Sequence, residues 1–203
     1  EITIRWTNTS AIFTQFPEAY YKHSEKITKD TILEYKIAVK EFSLEVKDGT
    51  GELFSDDYHV DIIGKYIYGY PPQEEIIITA SNIALSTGIA KFLAMPISKE
   101  SGVVRYEISV RYDSAYGIST ENSTAFVWLK TNTTTTISIA LGVANLYIRA
   151  LDLENTTLPG ATIYLHYYES TFSVMANGSG IGVFEYLPYG EYNISAEYYG
   201  VSS

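Results

Sequence analysis

Residues 1–7 read Glu1-Ile2-Thr3-Ile4-Arg5-Trp6-Thr7. In an extended chain successive side chains point to opposite faces. Ile2, Ile4 and Trp6 therefore share one side, and Thr3, Arg5 and Thr7 the other. The polar run Thr7-Asn8-Thr9-Ser10 separates this segment from the rest of the chain. Two readings are open. One is an ordinary edge strand of a first domain; the other is a detachable strand that pairs with a different molecule, with Ile2, Ile4 and Trp6 as its buried knobs.

The same two-residue period recurs almost everywhere downstream. β-branched and aromatic residues fill the runs, and Gly, Asn, Asp or Pro stand between them. Further candidate strands are 32–46, 58–67, 75–80, 103–112, 125–130 and 135–141. Lys47-Asp48-Gly49 punctuates a hairpin, because glycine tolerates the positive φ that such turns need. Helical signals are nearly absent; 84–93 carries one short-helix pattern, weakened by Gly88. The expected fold class is all-β. An N-terminal strand and linker (1–14) precede two Ig-like β-sandwich domains in series, 15–142 and 143–203.

The last 60 residues or so carry the pieces "LPGATIYL" (158–165), "VFEYLPYGEYNISA" (183–196) and Tyr199-Gly200. Gly160 and Gly190 supply turn geometry, and a strand beginning at Tyr192 turns Ile194 and Ala196 toward a core. This segment resembles the transthyretin-like, or collagen-adhesin B-type, repeat of surface proteins. In that family a further strand comes after the Tyr-Gly segment and closes the sandwich, whereas this sequence stops three residues later. The expectation is an unclosed sandwich, with unpaired backbone groups beside an apolar groove that something must fill. A strand to spare at the start and a gap at the end are both satisfied if one subunit's first strand enters the last domain of the next. Such a contact is heterologous and grows a filament unless it closes into a ring. In layout and composition the whole chain resembles the thread pilins of thermoacidophilic archaea. That resemblance implies a head-to-tail, donor-strand-complemented, N-glycosylated filament on the cell surface, serving adhesion or biofilm formation.

The bulk numbers agree. Six of the eight Asn lie in Asn-x-Ser/Thr sequons: Asn8, Asn122, Asn132, Asn155, Asn177 and Asn193. With 19 Ser and 20 Thr among 203 residues, about one or two sequons would arise by accident. The excess points to a surface that carries N-linked sugar, hence an extracellular chain. There is no Cys, which rules out disulfides, thiolate metal sites and thiol catalysis. Net charge is −10, which disfavours nucleic acid and anionic membrane surfaces. The low charged fraction, 19%, suits an acidic medium, where paired carboxylates lose their contribution on protonation. No stretch approaches the run of about 18 apolar residues that a membrane span needs. The chain opens on Glu1, as a mature secreted protein would after leader removal.

No constellation marks an enzyme or a resident cofactor beyond the glycans. His23 and His166 sit in unrelated segments, and no Ser has an elbow context. Asp57, His59 and Asp61 share a strand face and form the best ligand-like cluster, but one imidazole and no known loop spacing read more simply as a solvated face; no metal site is assigned. Tyr66, Tyr68 and Tyr70 form a stripe, and Tyr186, Tyr189, Tyr192, Tyr198 and Tyr199 a cluster. Packing within sheets or at interfaces is the default for both, with a platform for surface glycans as the alternative. Residues 143–203 contain no Lys, so a self-formed Lys–Asn or Lys–Asp isopeptide bond inside the last domain is impossible. The expectation is a structural subunit whose main partner is a copy of itself. A surface-layer-associated protein and a secreted carbohydrate-binding module are the competing classes.

Overall fold

The structure is a computed structural model that describes residues 2–7, 18–23, 39–96, 98–99, 102–127 and 136–202. Among these the regular structure is all strand. The first two, β1 (Ile2–Thr7) and β2 (Glu18–His23), pair antiparallel in a two-stranded sheet, with Ile2 opposite His23 and Thr7 opposite Glu18.

The chain divides into two compact units. The first takes its described residues from 1–47, 52–112 and 121–141. Its strands continue as β3 (Val39–Lys47), β4 (Tyr58–Tyr68), β5 (Gln73–Leu85), β6 (Ile89–Pro96), β7 (Ser98–Lys99), β8 (Gly102–Asp113), β9 (Ser119–Val127) and β10 (Thr136–Ala140). One sheet runs β5-β4-β8-β7, with β9 also on β8; the other runs β10-β3-β6, and β10 is parallel to β3. Alternation explains why these residues became strands. On β3, Phe42, Leu44 and Val46 are fully buried while Glu41, Ser43 and Glu45 look outward. On β8, Val104, Tyr106, Ile108 and Val110 do the same. Phe42 joins the two layers: its ring stacks on Phe92 (4.8 Å between centroids), meets Phe126 edge-on (5.7 Å) and lies 6.0 Å from Tyr106 of the opposite sheet. Burying each such side chain is worth about 1.5–3 kcal/mol, which is how a Cys-free sandwich holds.

The second unit comprises 48–51, 113–120 and 142–203. Its strands are β11 (Val143–Arg149), β12 (Thr162–Tyr167), β13 (Ser170–Met175), β14 (Ile181–Pro188), β15 (Asn193–Tyr198) and β16 (Val201–Ser202). β11 pairs with β14, and the facing sheet runs β13-β12-β15-β16. Ile163, Leu165 and Phe184 fill the space between, with Tyr116 edge-on to both Phe184 and Phe172. The Tyr192 hydroxyl donates to the Pro188 carbonyl at 2.6 Å, fixing the corner that leads into β15.

One expectation is corrected. Residues 84–93 are not helical; they are the end of β5, a turn at Gly88 and the start of β6. A Cβ at Gly88 would lie 2.8 Å from the Leu53 Cβ and 2.9 Å from the Phe54 carbonyl, so glycine stands there for close approach. Lys47-Asp48-Gly49 does stand at a chain reversal: Lys47 forms an antiparallel bridge with Leu53 and the Phe54 N–H donates to the Val46 carbonyl at 2.9 Å, although β4, the next full strand, belongs to the other sheet. The positive φ in that turn falls on Gly51, and Asp48 caps it by accepting the Thr50 N–H at 2.9 Å.

Candidate strand-acceptor groove

An open apolar groove of the second unit lies between its two sheets. On one side, β11 has β14 along one edge and, among the described residues, no strand along the other. Past Arg149 the chain bends into a small loop. There the Asp152 carboxylate accepts the N–H groups of Glu154 and Thr156, each at 2.8 Å, and Leu151 bridges Thr157. On the other side stand β15 and the two-residue β16, joined through Tyr199 and Gly200. Both turn residues have positive φ (49° and 79°), the geometry of a tight two-residue hairpin. The groove between these lips has a volume of about 770 Å³.

Its floor is Ile148, Ala150, Leu158, Ala161 and Ala196, and its rim is apolar but wet: Ile194 is 48% exposed, Val201 74%, and Leu151, Leu153 and Tyr199 are also open. Burial, then the neighbouring Tyr199 phenol, pushes the Tyr198 hydroxyl above its ordinary range, so this phenol stays neutral. The five residues 194–198 on one lip span about 17 Å at strand rise, and a six-residue strand spans about 20 Å.

Among the residues singled out in the sequence, Ile2, Ile4 and Trp6 lie on β1, opposite His23, Tyr21 and Ala19. Asn122, Asn155, Asn177 and Asn193 are all exposed; Asn8 and Asn132 lie outside the described residues. Asn122 donates one amide proton to the Ala140 carbonyl at 2.8 Å. The Asn177 side-chain oxygen accepts the N–H groups of Ser179 and Ile181. Asp57, His59 and Asp61 are not assembled around a metal position, and no such group occurs among the described residues. Asp61 instead accepts the Asn82 N–H at 2.6 Å. In the tyrosine stripe, Tyr66 is buried and stacks on Tyr68 at 5.0 Å, while Tyr70 is fully exposed. Ile194, read from the sequence as core, is groove rim instead. Leu151, Leu153 and Val201 carry no sequence signal of their own, since the groove is assembled from segments distant in sequence.

No family model matches the chain, and no curated protein does. No helix among the described residues is long and apolar enough to cross a membrane. Among solved structures the chain is similar to a streptococcal ancillary pilin, at 13% identity, covering 98% of this chain and 70% of that one, with a TM-score of 0.28.

Proposed function

We propose that the protein is a structural subunit of an extracellular, N-glycosylated surface filament of the archaeal thread type, built head to tail by donor-strand complementation. The observation that carries this reading is the groove, whose rim leaves Ile194 and Val201 in water. Residues 1–7 supply a matching occupant in a second copy. Placed along the free edge of β11, β1 would turn Ile2, Ile4 and Trp6 inward and add a ladder of backbone hydrogen bonds. Three such side chains are worth roughly 5–9 kcal/mol before the cost of association. Within one subunit β1 pairs with β2, so in this reading assembly exchanges that pairing for a neighbour's groove. Glycans on the six sequon asparagines shield the remaining surface, and the filament serves adhesion.

Negative-stain electron microscopy of the native, glycosylated protein and of a variant lacking residues 1–7 tests this. The native chain is expected to form filaments one subunit wide, and the truncated chain a folded monomer. Filaments from the truncated chain refute the mechanism. Two-dimensional lattices would point to a surface-layer component, and native monomers to a carbohydrate-binding module.

A further inference from the structure

The outward face of β12, β13 and β15 carries an ordered pair of rings. His166 is held from both sides: Nδ1 is 3.0 Å from the Thr171 hydroxyl and Nε2 is 2.9 Å from the Ser195 hydroxyl. Tyr164, two residues earlier on β12, donates its hydroxyl to Glu197 at 3.3 Å. The two rings are nearly parallel, 22° apart with centroids 6.4 Å from each other. Both are only partly buried. The result is a flat apolar strip immobilised by its own hydrogen bonds and bordered by hydroxyl groups.

Asn193 stands directly opposite His166 in the β12–β15 register. Directly opposed residues of an antiparallel pair share a face, with Cβ atoms about 4.5–5.5 Å apart. Alternation along β15 agrees, because Ala196 and Tyr198 pack on the core while Ser195 and Glu197 reach the β12 rings. β16 pairs with β15 only at Glu197 and Tyr198, so it leaves the Asn193 end of the strand uncovered. We propose that the sugar attached to Asn193 folds back on this face, its apolar C–H side against the His166 and Tyr164 rings and its hydroxyls toward the Thr171 and Ser195 side chains. An aromatic ring with a nearby hydroxyl matches both sides of a pyranose. The inference rests on Asn193 being glycosylated, as the filament reading holds. Asn155 and Asn177 differ in sitting in turns, where Asn155 adopts a φ of 63° and Asn177 caps its own loop. The glycan on Asn193 is thus part of the folded sheet and not a tether in solvent.

The test uses the native glycoprotein. Mass spectrometry first reads occupancy at Asn193. Through-space NMR contacts are then sought between the asparagine-linked sugar and the ring protons of His166 and Tyr164, together with upfield shifts of the sugar C–H protons from the ring currents. Occupancy with contacts and shifts is the expected result. In a Tyr164→Ser variant the shifts should fall by at least half, and Asn193→Gln should lower the melting temperature less in that background than in the native chain. Occupancy without contacts overturns this proposal and leaves the glycosylation reading intact. An unmodified Asn193 overturns both at this position.

Discussion

The side-chain oxygen of Asn145 accepts the backbone N–H of Tyr186 at 2.8 Å. It does so where the β11–β14 register shifts, between Ala144 and Leu146, and where Tyr186 adopts a φ of 45°. The bulge thus has a side chain in place of a ladder bond. Asn145→Ala should destabilise the second unit by about 0.5–1.5 kcal/mol, the net worth of one hydrogen bond. Asn145→Asp, which keeps an acceptor, should lose less. Urea titration of both variants measures the difference.

Phe42 touches aromatic rings on both layers of the first unit. Phe42→Ala removes all three contacts and leaves a cavity, at an expected cost of about 3–5 kcal/mol. Phe42→Leu should cost distinctly less. Thermal unfolding of the two variants should show that order; equal losses would mean that ring geometry contributes little.

Lys65 lies 2.9 Å from Glu107, and Arg105 and Glu74 join the pair in a network on the outer face of β4, β5 and β8. The hydrogen bond from Lys65 holds the Glu107 carboxyl below its usual 4.5, with burial opposing and the Lys65 and Arg105 charges assisting. A lowered folded-state value means that the stabilisation is present above 4.5 and lost as pH falls through the folded value. Stability measured against pH should therefore decline on the acid side of 4.5, and Glu107→Gln should flatten that decline. Added salt should weaken the effect, because these groups are only partly buried.

Ile194 and Val201 line the groove while remaining open to water. Ile194→Asp and Val201→Asp should leave the monomer folded, with small changes in melting temperature. Both should abolish head-to-tail assembly, because the charge would be buried by the incoming strand. Light scattering at fixed concentration reads this directly. Normal polymers from both variants would mean that the groove is not the contact.

Much of the strand layout was legible because alternation is its physical cause. The limits read for β1 agree with those observed, and those for β4 and β8 fall within a residue at each end. β6 was obscured because Ile83, Ala84, Leu85, Ile89, Ala90 and Phe92 form an apolar run without a clean two-residue period. Gly88 looked like a helix weakness; it is where backbone passes close to Leu53 and Phe54. The groove was legible only as an expected gap. Its actual walls, Leu151 and Leu153 on one side and Ile194 and Val201 on the other, meet through sheet pairing that no local pattern encodes.

The parallel pairing of β10 with β3 has a mechanical consequence. Five positions are matched, from Thr136 opposite Ser43 to Ala140 opposite Lys47. Tension drawn through the first unit pulls β3 from its leading end and β10 from its trailing end. Because the strands point the same way, that load slides one along the other and strains all five positions together, whereas an antiparallel pair pulled from one end would unzip a bond at a time. In a filament of the kind proposed, such units would resist stretching by shear and not by peeling.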